Sequence, residues 1–274
     1  MKRKPYFKVV YLVMFVLVIA AAVVAIMITF SSNNPPSAQS TADGASLSTQ
    51  ATSAGKTEAP EKKEQKSDKL EKILKSETVS LKKKLDAPEM LQEPELPTGC
   101  ESVALTIALN TLGFDLEKTE IAENYLEYSA DFINYAVGYV GDPFEDDGAG
   151  VFPPGIVKTV DNYRNKAHKN AYSEDISGTR FEDIYKIIDG GCPVVVWTTM
   201  SYTEPVFDGD EITENGFTYR WYENEHCITL YGYDVSENEV YISDPLNGYI
   251  TMDADEFEAL YNEIGKLAVA VWRE

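Results

Sequence analysis

The stretch QEPELPTGCESVALTIALN, which covers residues 92–110, places a cysteine where a helix is expected to begin. Gly113 ends the pattern, so the spacing predicts a helix from Thr98 to Leu112, and one apolar face of it carries Val103, Ala104, Ile107 and Ala108. A helix N-terminus carries a partial positive charge and free N–H groups, which stabilise a thiolate. We therefore expect the pKa of Cys100 to be lowered and Cys100 to act as a nucleophile, with a buried structural cysteine as the alternative.

A histidine opens the second informative stretch, HCITLYGYD, which covers residues 226–234. Strand alternation puts His226 and Ile228 on one face and Cys227 on the other, so Cys227 is expected to pack in the core. A strand-borne histidine opposite a helix-borne cysteine can accept the thiol proton, and a hydrogen-bonded core histidine is the alternative. The other histidine, His168, lies at the polar end of a predicted helix and is expected to be exposed.

Two further residues complete a candidate site. Asp244 ends the next predicted strand, 18 residues after His226, and would orient the imidazole if the register brings the two together. An Asp-Pro pair such as Asp244-Pro245 is also a common turn initiator, so spacing alone leaves that alternative open. Gln92 lies eight residues before Cys100, and its side-chain N–H could join the Cys100 backbone N–H as an oxyanion donor.

The remaining cysteine and the acidic segments point to packing and solubility. Cys192 begins a predicted buried strand and is expected in the core, while a disulfide between Cys192 and Cys227 stays open. The acidic segments 142–147 and 208–211 do not match a calcium-binding loop and are expected to form a solvated rim. The sequence therefore predicts neither a metal nor a cofactor.

Helical patterns come first and strand patterns later. We predict helices at 98–112, 117–126, 154–168, 179–189 and 254–264, with Thr179 and Glu182 at capping-box spacing. We predict strands at 193–199, 217–222, 226–234, 239–243, 248–252 and 267–272. Because the helices come mostly before the strands in the chain, the pattern indicates an α+β fold with N-terminal helices packed on a mostly antiparallel sheet.

Composition excludes several classes of protein. The chain has 274 residues, two His, three Cys and a net charge of −21. Residues 86–274 carry ten basic against 38 acidic groups, which would repel nucleic-acid phosphates, so no nucleic-acid partner is expected. So few His and Cys also exclude a zinc-finger array and a disulfide-dense scaffold.

The sequence pattern of residues 1–77 is typical of a membrane-anchored protein. Residues 1–8 are basic and are expected to stay in the cytoplasm, and the uncharged run 9–30 is long enough for one transmembrane helix that anchors the chain in the lipid bilayer. A cleaved secretory signal is the alternative, but the apolar core of such a signal is shorter. Residues 31–77 are rich in Ser, Thr, Ala, Pro and Lys and predict a disordered tether, with a short helix possible at 67–77. Residues 78–274 are then expected to form one extracellular domain at the cell membrane.

Three segments together resemble a known family: QEPELPTGCESVA at 92–104, HCITLYGYD at 226–234 and YISDP at 241–245. They are similar to the bacteriocin-processing, double-glycine type of cysteine peptidase, in particular to its stand-alone bacterial C39-like relatives. The segment GGCPVVVW at 190–197 also matches a strand of that family. The resemblance implies a papain-like fold, with Cys100 as nucleophile, His226 as general base and acid, Asp244 as orienting residue and Gln92 as oxyanion donor.

The resulting expectation is a membrane-anchored extracellular cysteine peptidase that cleaves a peptide or protein substrate through an acyl-enzyme. One alternative keeps the same residues but acts as a hydrolase or acyltransferase on peptidoglycan stem peptides. Another is a catalytically inactive binding module, because Glu101 directly follows Cys100 and would repel a thiolate.

Overall fold

The computed structural model describes residues 68–131 and 133–274. Its helices are α1 (Asp68–Leu74), α2 (Cys100–Thr111), α3 (Glu120–Asn124), α4 (Pro153–Ala167), α5 (Phe181–Asp189) and α6 (Ala254–Ile264). Its strands are β1 (Lys82–Lys84), β2 (Ala171–Asp175), β3 (Val194–Thr199), β4 (Phe207–Glu214), β5 (Phe217–Tyr222), β6 (Glu225–Asp234), β7 (Glu239–Asp244), β8 (Gly248–Asp253) and β9 (Ala268–Arg273).

One antiparallel sheet organises the described part of the chain. Its strands run in the order β2-β9-β3-β6-β7-β8, and β1 pairs with β6 in addition. The strands β4 and β5 form a separate two-stranded hairpin. Because β6 and β7 are antiparallel, the start of β6 and the end of β7 lie at the same end of the sheet. The fold is α+β with an antiparallel sheet, as the sequence predicts.

The central strand β6 separates two hydrophobic clusters. Cys227 packs in one cluster with Cys100 and residues of α2 and α4, whereas Ile228 packs in the other with residues of α1 and α5. Alternation along a strand sends successive side chains to opposite faces, which produces this division. The helix α2 is buried from Cys100 to Leu109, so it lacks the polar face of a surface helix.

Most of the long predicted helices and strands are confirmed. The short polar elements of the structure either differ from the prediction or were not predicted. The predicted helix at 117–126 shrinks to the single turn and a half of α3, and α5 begins at Phe181 without the Thr179 capping box, since Arg180 takes the N-cap position and makes no side-chain cap bond. The strands β1, β2 and β4 were not predicted, because their sequences are largely charged or polar and lack an apolar alternation. The acidic segment 208–211 therefore lies in a strand and not in a loop, and it is exposed.

The structure also extends the folded region toward the N-terminus. The helix α1 lies within the stretch predicted as a disordered tether, yet Leu70 is fully buried in the cluster that contains α5. The short helix that the sequence allowed at 67–77 is therefore confirmed as α1, and it packs on the domain. The predicted transmembrane helix at 9–30 falls outside the described residues, and within the described part of the chain the helices are too short or too polar to cross a bilayer.

The cysteines are free in this structure. Cys192 and Cys227 are both buried, but they pack in the two different clusters on either side of the sheet. The disulfide that the sequence left open is therefore not formed, because the sheet separates the two sulfur atoms. Both cysteines are core residues, and His168 is exposed at the end of α4, as expected.

Candidate active site

The loop before α2 fixes the position of Cys100. The Tyr139 hydroxyl donates to the carbonyl oxygen of Thr98 at 2.6 Å, and the Thr98 hydroxyl donates to the carbonyl oxygen of Glu145 at 2.9 Å. A Cβ atom at Gly99 would lie only 2.9 Å from Cβ of Leu96, so a residue without a side chain is needed there. The first residue of α2 is thus held firmly, and it is 6% exposed.

The Cys100 thiol faces two buried carboxyl groups. It donates a hydrogen bond to Oε2 of Glu101 at 3.4 Å and lies 4.0 Å from Oε2 of Glu225. Burial raises the pKa of Cys100 well above its ordinary value, and the charges of Glu101 and Glu225 raise it further. The expected lowering of the pKa by the helix N-terminus is therefore wrong, because desolvation and two acidic neighbours outweigh the helix dipole.

The two carboxyl groups have perturbed pKa values of their own. Burial raises the pKa of Glu101, although a hydrogen bond from the Val151 backbone N–H to Oε1 at 2.7 Å opposes the rise. Burial also raises the pKa of Glu225, and the charge of Glu101 adds to the effect. Glu225 was not predicted as a site residue, because it lies just before the predicted strand 226–234 in the polar stretch ENE at 223–225, and its position directly before His226 was the one available signal.

The histidine and the aspartate form a buried pair. The Nε2 atom of His226 lies 2.7 Å from Oδ1 of Asp244, and the two side chains are 1% and 0% exposed. Oδ2 of the same carboxylate accepts hydrogen bonds from the Tyr202 hydroxyl at 2.6 Å and from the Asn247 amide at 3.0 Å. Burial raises the pKa of Asp244, but the hydrogen bonds from His226, Asn247 and Tyr202 outweigh it and hold this pKa below its usual range.

Antiparallel pairing explains why these two residues meet. Ser243 pairs with Thr229, so Asp244 at the end of β7 lies beside the first residues of β6. His226 and Asp244 lie on the face of the sheet that also carries Ile228 and Ile242, which is the face opposite to Cys227. The sequence predicts contact between His226 and Asp244 only if the pairing register of β6 and β7 allows it, and the observed register does allow it.

Cys100 reaches the same end of the sheet from the other side. Its thiol lies against Glu225 and beside the backbone N–H of Cys227, which are the chain neighbours of His226 on β6. In the described part of the chain, the hydrogen bonds that Cys100 donates run to the two carboxylates. The structure therefore brings the His226 side chain to Asp244, as predicted. It does not bring the His226 ring to the Cys100 thiol: among the described residues the thiol contacts Glu101 and Glu225, so the predicted hydrogen bond between Cys100 and His226 is not formed.

Gln92 connects the segments that carry Cys100 and Asp244. Its backbone N–H donates to the carbonyl oxygen of Pro245 at 2.8 Å, and its Nε2 donates to the carbonyl oxygen of Pro97 at 2.9 Å. The residue is 3% exposed, and Oε1 has no partner among the described residues. An amide nitrogen carries two N–H donors, so the hydrogen bond to Pro97 accounts for one of the two.

The amino-acid sequence matches a known protein family over most of the chain. The family model described as the Peptidase_C39 like family matches residues 78–269. An uncharacterised protein of Bacillus subtilis (strain 168), YvpB, is 29% identical over 188 residues, which cover 66% of this chain and 72% of YvpB.

Two solved structures are among those similar to this chain, and one of them shows the same fold. A crystal structure described as that of a candidate C39-like peptidase from Bacillus anthracis is 26% identical, with a TM-score of 0.56, and the match covers 70% of this chain and 98% of that one. A double-glycine motif protease of an AMS/PCAT transporter, solved in complex with its leader peptide, is 13% identical with a TM-score of 0.40, over 69% of this chain and 92% of that one.

Proposed function

Because the chain belongs to the Peptidase_C39-like family, we propose that it is a cysteine peptidase in which Cys100 attacks a peptide carbonyl and His226 and Asp244 assist it. The observation that carries this proposal is the buried 2.7 Å contact between His226 and Asp244, at the end of the sheet where α2 begins with Cys100. The same three residue types recur in nucleophilic catalysis by thiols on several folds.

The contact with Asp244 assigns a role to each ring nitrogen of His226. The ionised carboxylate accepts a hydrogen bond from the Nε2–H group, so Nδ1 is left as the nitrogen that can accept the thiol proton. This step requires the His226 ring to reach the thiol, which in the structure donates to Glu101. As the sulfur then attacks, a C–S bond forms and the thiol proton passes to Nδ1. The resulting imidazolium donates that proton to the leaving amine when the C–N bond breaks, and water then hydrolyses the acyl-enzyme. Asp244 stabilises the imidazolium and remains ionised throughout.

The pKa of Cys100 determines how the thiol is activated. Because burial, Glu101 and Glu225 raise this pKa, the resting sulfur is a neutral thiol and not a preformed thiolate. The proton must therefore leave during the attack itself, in the manner of a serine hydroxyl. The Cys100 backbone N–H at the helix N-terminus, together with the remaining N–H of Gln92, would stabilise the oxyanion.

Cleavage of a peptide library by the full chain in detergent tests this proposal. We expect cleavage that the Cys100→Ala variant abolishes, while Cys192→Ala, which removes another buried thiol, retains it. Digestion of purified cell wall in parallel separates peptidase from peptidoglycan hydrolase: release of muropeptide fragments without cleavage of the library would replace the first proposal by the second.

A catalytically inactive binding module is a second candidate, and the raised pKa of Cys100 favours it. An alkylation rate with iodoacetamide no higher than that of a free thiol, combined with a failure to cleave any peptide or cell wall, would select this function. Cleavage that depends on Cys100 excludes it.

We also propose that residues 9–30 anchor the chain in the cell membrane, with the domain outside the cell. The support is the length and hydrophobicity of this uncharged run behind a basic flank. Protease added to intact cells should then digest the domain, and deletion of residues 1–30 should move the chain from the membrane to the soluble fraction. Protection of the domain in intact cells would contradict this topology.

A further inference from the structure

The side chains of Cys100, Glu101 and Glu225 form a compact buried cluster. One donor atom from each, namely Sγ and two carboxylate oxygens, lies within 4.8 Å of the other two. The sulfur is 3.4 Å from Oε2 of Glu101 and 4.0 Å from Oε2 of Glu225. A tetrahedral zinc ion with one sulfur and two oxygen ligands separates them by about 3.5 Å. The distance from the sulfur to Glu101 already matches this value, and the Glu225 oxygen would have to move about 0.5 Å closer to the sulfur to enclose such an ion.

The second oxygen atoms of the two carboxyl groups, both named Oε1, have different surroundings. Oε1 of Glu101 is held by the Val151 backbone N–H at 2.7 Å, which is the kind of outer contact that orients a metal-binding carboxylate. Glu225 is only 8% exposed, and its Oε1 has no hydrogen-bond partner among the described residues. A buried carboxylate with an unsatisfied oxygen is costly, so this side chain is matched to a ligand that supplies positive charge.

We propose that Cys100, Glu101 and Glu225 bind a divalent transition-metal ion of the zinc class through Sγ and one oxygen of each carboxylate. Thiolate and carboxylate ligands suit zinc, whereas magnesium and calcium prefer a shell of oxygen atoms. Three protein ligands leave a fourth position for water. Binding breaks the S–H bond, forms a metal–sulfur bond and releases the thiol proton to solvent, and the metal keeps its oxidation state.

This site goes beyond the proposed peptidase function but affects it. If Cys100 is the nucleophile, a metal-bound sulfur cannot take part in attack on a carbonyl, so the ion acts as a reversible inhibitor. That consequence rests on the proposed function, whereas metal binding itself does not.

Titration of the chelator-treated full chain in detergent with Co²⁺ tests the proposal without any turnover. We expect one equivalent to produce a near-ultraviolet sulfur-to-cobalt absorption band, and Zn²⁺ to remove it. Cys100→Ser should abolish the band, and Glu225→Gln should weaken Co²⁺ binding at least about tenfold. Two matched controls should leave binding unchanged: Cys192→Ser removes another buried thiol, and Glu211→Gln removes an exposed acidic charge.

The absence of the band in the unmodified chain, or its survival in Cys100→Ser, would overturn the proposal. An equal loss of affinity in Glu211→Gln would also overturn it, because binding would then reflect surface charge. If Glu225→Gln does not fold, the unmodified chain provides the test: Zn²⁺ should slow alkylation of Cys100 by iodoacetamide at least about tenfold, and an unchanged rate rejects the site. Neither readout requires peptide cleavage, so the two proposals fail separately.

Discussion

The Nε2 atom of His226 lies 2.7 Å from Oδ1 of Asp244, although 18 residues separate them in the chain. Substitution of Asp244 by Asn replaces an ionised acceptor with an amide, which favours the wrong tautomer of His226 and no longer stabilises the imidazolium. We expect kcat/KM for peptide cleavage to fall by about 10²- to 10⁴-fold.

A matched control for this substitution is Asp234→Asn, at the other end of β6. Asp234 forms an ion pair with Lys82 at 2.8 Å and accepts the Ser236 backbone N–H, so its loss affects stability. We expect Asp234→Asn to lower the melting temperature and leave kcat/KM unchanged. Equal activity losses in the two variants would mean that Asp244 has only a structural role.

The Tyr202 hydroxyl positions Asp244 from the side opposite to the imidazole. The variant Tyr202→Phe removes the 2.6 Å hydrogen bond to Oδ2, and we expect it to lower the free energy of unfolding by about 1–3 kcal/mol, as for a hydrogen bond to a charged group. The loss of activity should be smaller than in Asp244→Asn, because the contact with His226 remains.

The comparison variant for Tyr202 is Tyr261→Phe, which removes a hydroxyl that donates to the Thr179 carbonyl oxygen away from the site. This variant should be destabilised without a change in kcat. If Tyr202→Phe alters kcat no more than Tyr261→Phe does, the positioning role of Tyr202 is rejected.

The buried carboxyl groups beside Cys100 make stability depend on pH. The pKa of Glu101 is raised by burial, so the folded state holds the proton more tightly than the unfolded state does. This contribution is fully present below the unfolded pKa and is lost as the pH rises through the folded pKa. Denaturant unfolding should therefore show a loss on the order of 1–3 kcal/mol between about pH 5 and about pH 8.

The variant Glu101→Gln cannot ionise, so its stability should decline less over the same pH interval. Glu223→Gln, at an exposed position of the same charge, should follow the unmodified chain. If the free energy of unfolding declines as steeply with pH in Glu101→Gln as in the unmodified chain, the Glu101 carboxyl group does not cause the pH dependence of stability. Asp244, whose pKa is lowered, contributes stability that is lost only at acidic pH and does not interfere.

The proposed role of Gln92 as an oxyanion donor can be tested by substitution, since this buried residue contacts both Pro97, near Cys100, and Pro245, next to Asp244. We expect Gln92→Ala to lower kcat by about 10²- to 10³-fold with little change in KM. Asn110→Ala provides the control, because that amide also bridges backbone groups, at Leu116, but lies at the far end of α2. A loss of kcat in both variants would indicate disturbed packing of α2 and not a lost donor.

The sequence predicts the parts of the fold that depend on local periodicity. The helix that begins at Cys100 and the strand that contains His226 are long and apolar, so their patterns are strong. The strand β4 is acidic and pairs only with β5, so its existence depends on a hairpin and not on a buried face. Short polar elements of this kind leave no apolar pattern to read.

In the candidate site, too, one contact could be predicted from the sequence and another could not. The pairing of His226 with Asp244 follows from an antiparallel register, which the short turn between β6 and β7 makes natural. The meeting of Cys100 with Glu225 depends on how α2 packs on the sheet, and no local pattern encodes it. For that reason the sequence predicted a low pKa for Cys100 from the helix alone, whereas the packed structure raises it.

Covalent trapping provides a direct test of whether Cys100 is a nucleophile that His226 activates. The full chain in detergent is incubated with an electrophilic peptide probe, digested and mapped by mass spectrometry, with the His226→Ala variant and the Asp234→Asn control in parallel. We expect one probe per chain, attached to Cys100, at a rate that falls at least about 10²-fold in His226→Ala and is unchanged in Asp234→Asn. Labelling of Cys192 or Cys227 in place of Cys100, or a rate on Cys100 that does not change in His226→Ala, would contradict it.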